Sequence, residues 1–352
     1  MYRYDDLREV HIELTSRCNA SCPQCPRNLS GGEVNPTLPM SELSLGDVKT
    51  LLPLELVQRL RKVYACGNYG DPMVAKDTLP IFEYLRAASS TIELGMFTNG
   101  SGRTREFWEG LAQLTSYVRF SIDGLEDTNH VYRRGTHWAR IMESVAAFVG
   151  AGGRAEWDFI VFRHNEHQIE EARTLARELG FQRFFVKKTS RFFSSATGKQ
   201  AARRVQNRDG TPAYVIEEPL SPLFRNAEVA RLAEREIASY QAETEISCKA
   251  VKHHRLYISA EGLVFPCCWT GALYPPGRRA GSAEAWSLLA KLPNGKLSLD
   301  GRRTSIREIV QGPFFQELVP SGWEPGANRL LPCVRACGAH DIQSAQYGTS
   351  LL

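Results

Sequence analysis

The chain has 352 residues, 43% apolar and 23% charged, a globular composition that excludes a disordered chain. Lysine plus arginine (43) exceed aspartate plus glutamate (39) by only four, so no nucleic-acid partner is expected. No apolar run approaches the roughly 18 residues that span a bilayer. The opening MYRYDDLREV lacks the basic-then-apolar pattern of an export signal, so a cytoplasmic protein without a membrane partner is expected.

Short apolar runs predict strands at 10–14, 63–66, 92–98, 117–122, 157–162 and 184–187. Amphipathic stretches between them predict helices at 45–61, 76–88, 103–114, 136–150 and 166–179. Such alternation implies an α/β fold with a parallel sheet and right-handed crossovers. Six units are too few for the eight-fold barrel, which leaves a partial barrel or an open sheet. After 188 the chain turns polar and basic: 189–218 reads as a loop or linker with a strand near 214–216, and 226–243 reads as a helix. The run RLYISAEGLVFPCCW reads as a hairpin around Glu261-Gly262. The domain expectation is a barrel over 1–188, a linker and helical segment over 189–247, and a small α+β unit over 248–352.

Nine cysteines stand out: Cys18, Cys22, Cys25, Cys66, Cys248, Cys267, Cys268, Cys333 and Cys337. An odd number, clustered, in a chain without an export signal disfavours a disulfide framework and points to metal or iron–sulfur ligation. The C-x₃-C-x₂-C spacing of Cys18, Cys22 and Cys25 puts three thiols on the loop after the first strand. Three thiolates can hold a four-iron cluster by three corners and leave one iron open, whereas closed carriers use four. A zinc knuckle lacking its fourth ligand and chance clustering are the alternatives.

This segment resembles the signature of the radical S-adenosylmethionine (SAM) enzymes. The resemblance covers 8–188 and implies a partial (β/α)6 barrel, a [4Fe-4S] cluster on Cys18, Cys22 and Cys25, and SAM bound to it. It further implies that Gly70 and Asp71, in Gly70-Asp71-Pro72, grip the SAM amino group. Aspartate stands there in place of the family's glutamate, one methylene shorter. By the same resemblance Asn99 lies at a ligand-binding strand end, and Ser121 and Arg134 contact the SAM ribose or carboxylate. The alternative for Arg133 and Arg134 is a solvated helix start, and for Asn165 a capping role.

Cys248-x₁₃-Gly262-x₄-Cys267, with Cys333 and Cys337, resembles the SPASM or twitch auxiliary domain and implies one closed auxiliary [4Fe-4S] cluster. Structural zinc is the alternative. Cys267 is taken as the ligand and Cys268 left over. Cys66 is either a hydrogen-atom donor to a substrate radical or a small buried apolar residue. The resulting expectation is a radical SAM oxidoreductase or related modifying enzyme. It would cleave SAM to a 5′-deoxyadenosyl radical and oxidise or otherwise modify a small polar, sugar- or aminocyclitol-like molecule. A flavodoxin or ferredoxin would serve as external reductant. The short stretch before Cys18 tilts this reading away from the alternative of a peptide cross-linking or epimerising enzyme. A non-catalytic iron–sulfur or zinc protein is the reading from another class.

Overall fold

Alternating apolar residues decide the first half of the chain. In the computed structural model, which describes residues 1–194, 198–233, 242–274, 282–326, 329–339 and 347–348, those residues form six parallel strands. They are β1 (Glu9–Ile12), β2 (Lys62–Ala65), β3 (Glu93–Thr98), β4 (Tyr117–Ser121), β5 (Ala155–Ile160) and β6 (Arg183–Lys187), side by side in chain order. Val10, Ile12, Val63, Leu94, Met96, Val118, Phe120, Trp157, Phe159 and Phe184 are at most 1% exposed and belong to the same core as the crossover-helix residues Ile81, Leu111, Val145 and Ala172. Burying each such side chain contributes roughly 1.5–3 kcal/mol, which is what closes the crossovers onto the sheet. Because strand side chains alternate, His11, Tyr64, Phe97, Arg119, Asp158 and Lys187 share the opposite, interior face.

The helix predicted at 45–61 is two helices, Leu45–Leu51 and Leu54–Val57. Pro53 between them has no N–H to give and its ring opposes a continuous helix. Ser44 and Asp47 close the first as a capping box. Of the helix predicted at 226–243, Ala227–Ala233 is helical, and 234–241 lie outside the described residues.

The segment 189–218 is not simply a linker. Two two-residue strands, β7 (Phe193–Ser194) and β8 (Gly198–Lys199), pair there. They are followed by an antiparallel hairpin of β9 (Ala202–Gln206) and β10 (Pro212–Glu217). Val205 and Ile216 turn inward and are buried, while Arg204 and Val215 turn outward, a strict period of two. The Asp209 carboxylate accepts from the Thr211 N–H (3.0 Å) and tightens the turn.

The hairpin around Glu261-Gly262 forms as β11 (Arg255–Ile258) and β12 (Val264–Phe265), with Gly262 at φ +76°. It does not stand apart from the barrel. β11 pairs in parallel with β1, Glu9 opposite Arg255 through Ile12 opposite Ile258. β13 (Tyr347–Gly348) pairs antiparallel with β6, completing a nine-stranded sheet in the order β12-β11-β1-β2-β3-β4-β5-β6-β13. One buried core contains Val10 and Trp157 together with Tyr257, Phe265, Tyr274 and Phe314. Among the described residues no helix is long and apolar enough to cross a membrane.

Candidate active site and cysteine centres

The C-terminal ends of parallel strands collect the loops that bind ligands in such folds. Here the loop after β1 carries Cys18, Cys22 and Cys25. It is held from beneath by Glu13, a buried carboxylate that accepts from the N–H groups of Tyr69 (2.7 Å) and Gly70 (3.0 Å) and from the Tyr257 hydroxyl. Burial pushes the Glu13 carboxyl above its ordinary range, and these donors only partly offset it. Gly70 is demanded by close approach: a Cβ there would lie 1.7 Å from the Thr15 carbonyl oxygen. Glu13 escaped the sequence reading, although an acid at the end of the apolar run VHIEL was the signal available.

Each sulfur of the loop has a distinct environment. Cys18 Sγ receives the Ala20 N–H (3.3 Å) and the Asn99 side-chain amide (3.8 Å). Cys22 Sγ lies 3.8 Å from a guanidinium nitrogen of Arg133. Burial lifts the Cys18 thiol well above its ordinary range and the Cys22 thiol to about 11, with Arg133 opposing the shift at Cys22. Cys25 closes a turn by donating its N–H to the Cys22 carbonyl (3.0 Å). The side-chain amide of Gln24, between the second and third cysteines, is buried with both polar atoms unpartnered. Ala20, Tyr132, Phe162, Phe192, Val205 and Ile216 form an apolar shell around the loop. Three thiols, N–H and guanidinium donors aimed at sulfur, an orphaned amide and an apolar shelter fit an iron–sulfur group. Among the described residues, no three His, Cys, Asp or Glu side chains close on a single metal-ion position.

Around this loop the residues expected at SAM take definite places. Asp71 is buried and both oxygens are occupied. Oδ1 accepts from Thr98 Oγ1 (2.8 Å) and the Met73 N–H (3.1 Å). Oδ2 accepts from the backbone (2.7 Å) and side-chain (2.8 Å) N–H groups of Asn99. Its carboxylate therefore braces the β2 turn against the end of β3, and Asn99 in turn reaches Cys18 and the Asn19 side chain (2.9 Å). Ser121 ends β4 half-buried on the interior face, in register with Asp158. Arg134 is not turned toward the cysteines: its Nη1 donates to the carbonyls of Gly31 (2.9 Å) and Gln206 (2.5 Å), strapping the hairpin to the loop. Arg133 occupies the position beside sulfur instead, held by a 2.5 Å ion pair with fully buried Asp123. The sequence shows Arg133-Arg134 as equivalents, and only the turn's geometry separates them. Asn165 braces loops, donating to the carbonyls of Asp123 (3.0 Å) and Ile160 (2.9 Å).

Cys248, Cys267, Cys333 and Cys337 come from three separate segments and line one pocket, together with Cys268. Cys333 and Cys337 sit one turn apart on the helix Leu331–Cys337, and Cys337 Sγ receives the Lys249 N–H (3.4 Å). Cys248 and Cys337 share a hydrogen bond that lowers the Cys248 thiol and raises the Cys337 thiol. Adjacent Cys267 and Cys268 have different neighbours. Cys267 is felt by Cys337 and Cys333, whereas Cys268 is also felt by Cys66, Arg255 and Glu13. His11 and Tyr64, stacked with centroids 4.6 Å apart, belong both to the barrel interior and to the wall of this cavity. The Cys66 thiol is pushed up to about 12 by burial, with Lys187 opposing, and its carbonyl accepts from His11 Nε2 (2.6 Å).

Six parallel strands with a three-thiol loop at their C-terminal ends define a class, and residues 12–176 match the family model of the radical SAM superfamily. That match covers just under half of the chain, and the mixed α/β fold with its parallel sheet is consistent with it. Among curated relatives, the GTP 3′,8-cyclase of Staphylococcus epidermidis is 24% identical over 175 residues, covering 46% of this chain and 48% of that protein. Molybdenum cofactor biosynthesis protein 1 of Drosophila melanogaster is 26% identical over 163 residues, covering 46% of this chain and 28% of that protein. The matches thus span half or less of those relatives. Among solved structures, Streptococcus suis SuiB bound to S-adenosylmethionine has a TM-score of 0.56 at 14% identity, covering 92% of this chain and 72% of that one. Native anSMEcpe with bound AdoMet and the Cp18Cys peptide has a TM-score of 0.53 at 12% identity, covering 97% and 91%. At such identities the likeness is one of fold.

Proposed function

We propose that this chain is a radical SAM oxidoreductase that acts on a small polar molecule held at the barrel mouth, with flavodoxin or ferredoxin as reductant. The observation that carries the reading is the Cys18–Cys22–Cys25 loop at the end of β1: three thiols, sheltered and supplied with donors. Cys18, Cys22 and Cys25 would hold a [4Fe-4S] cluster with SAM, and Cys248, Cys267, Cys333 and Cys337 an auxiliary [4Fe-4S] cluster. When bound, these groups supply one-electron cleavage of the sulfonium, a 5′-deoxyadenosyl radical for hydrogen abstraction, and an acceptor for the electron left on the substrate.

The chain's own residues do the rest. Arg133, kept charged by Asp123, places a positive group beside Cys22 and offsets thiolate charge. Asp71 and Asn99 fix the approach of the β2 and β3 ends to Cys18. The β9–β10 hairpin excludes water from the loop. A charged interior, with Lys187 2.9 Å from Asp158 and Arg119 2.7 Å from Glu156, suits a small polar substrate with hydroxyl or amino groups. Anaerobic reconstitution with iron and sulfide, followed by SAM and dithionite, should yield 5′-deoxyadenosine. Absence of that product, or its persistence in Cys22→Ala, overturns the reading.

A further inference from the structure

The β9–β10 hairpin has two faces of opposite chemistry. Inward, Val205, Ile216 and Tyr214 pack against the loop of Cys18, Cys22 and Cys25. Outward, Arg204 lies directly across the strands from Val215, which is 52% exposed, and Arg208 stands exposed on the turn. Neither arginine has an ion-pair partner among the described residues. The hairpin's acids are already engaged: Glu217 with Arg163 at 2.9 Å and Asp209 with Thr211. Next to the turn, where the Gln206 N–H donates to the Ser30 carbonyl, Leu29 is 46% exposed. An apolar centre flanked by unpaired positive charge has the anatomy of a protein-docking patch.

The patch is also mechanically close to the cysteines. Arg203 donates to the Arg191 carbonyl (3.3 Å), and Arg191 donates to the carbonyl of Gln24, between Cys22 and Cys25. A single sheet layer, about 10 Å with its side chains, separates the outer face from the sulfurs. Resting on the radical SAM reading above, we propose that this face docks an acidic one-electron carrier protein, with Arg204 and Arg208 as the steering charges. One electron leaves the reduced carrier and enters the iron centre on the inner side; no bond forms between the proteins. Exposed charges act chiefly through encounter and fall off with salt, so the dock should be strongly salt-dependent.

The test uses the full chain and flavodoxin as the acidic carrier. Titration calorimetry of oxidised flavodoxin against the chain should show binding that weakens as salt rises from about 50 to about 500 mM. The variant R204E/R208E should bind at least about ten-fold more weakly. In the reconstituted protein the same variant should lose flavodoxin-driven 5′-deoxyadenosine formation about ten-fold, while the dithionite-driven rate stays within about two-fold. Equal binding by parent and variant, no binding by the parent, or an equal fall in both rates overturns the dock. Failure of the parent with dithionite instead sinks the radical SAM reading on which the dock rests.

Discussion

The two groups of cysteines are assembled in opposite ways. Cys18, Cys22 and Cys25 lie within eight residues of one loop, and the fold's task is to cover them: the hairpin, Tyr132 and Phe162 form the shell. Cys248, Cys267, Cys333 and Cys337 are strung over 90 residues, and the fold's task is to gather them around one pocket. The first group is made by spacing and protected by packing, whereas the second exists only because of packing. Their surroundings differ accordingly. A side-chain amide and a guanidinium point at the first set, whereas the second has backbone N–H donors and neighbouring thiols. Three thiols on one loop suit an exchangeable, ligand-binding group, and four converging thiols suit a closed one.

The sharpest way to break this contrast is to remove one sulfur from each set. Cys22→Ala should take dithionite-driven SAM cleavage to background and remove about half of the iron. Cys333→Ala should remove the other half and leave SAM cleavage in place. Equal loss in both variants would show that the two sites do not divide the labour. Next in size is the adjacent pair. Cys267→Ser should lose about half the iron and Cys268→Ser keep it, as read by iron and sulfide analysis. Retention in Cys267→Ser would move the ligand to the barrel-facing thiol.

The neighbouring arginines sharpen the first site in terms of stability. Arg133→Ala strands a buried Asp123 and should cost about 3 kcal/mol in urea unfolding. Arg134→Ala loses two carbonyl contacts on the hairpin strap and should cost about 1 kcal/mol. Equal costs would erase the distinction between them. The smallest effect concerns Glu13. Its folded carboxyl titrates above the unfolded value, so its favourable contribution is complete at low pH and is lost as pH rises through the raised value. Glu13→Gln lacks that titration. Its stability relative to the parent should therefore improve as pH rises above the ordinary carboxyl range, followed by thermal melts. A gap that stays constant with pH would mean that the donors from Tyr69, Gly70 and Tyr257 have cancelled the burial.

The local parts of this molecule were readable in the sequence. Six strands fall within about two residues of their apolar runs, and the helix 136–150 appears as Trp138–Gly150, because each is set by periodicity over a few turns. The three-thiol loop was readable for the same reason. Of the β9–β10 hairpin only the second strand was, as the expected strand near 214–216; β9 was not, since its residues are mostly Arg and Gln around the single buried Val205. Arg133 and Arg134 differ by one residue, and a turn at Gly135 (φ +82°) decides which faces sulfur. The pairing of β11 with β1 spans some 246 residues, and no window of local pattern carries it.

That last pairing has a consequence for the order of assembly. β1 lies between β2 and β11, and Glu13, one residue beyond it, is bonded to the Tyr257 hydroxyl. During synthesis β1 therefore waits, with one edge open, until residue 258 has emerged. Contacts of such separation are slow to close, and an open edge strand is where chains associate wrongly. A chain stopped at residue 188 would carry all six barrel strands and the first three cysteines, yet expose β1 as an unpaired edge. The C-terminal third thus acts as the closing strand of a barrel that the first half begins, and the three-cysteine loop is among the last parts of the molecule to become rigid.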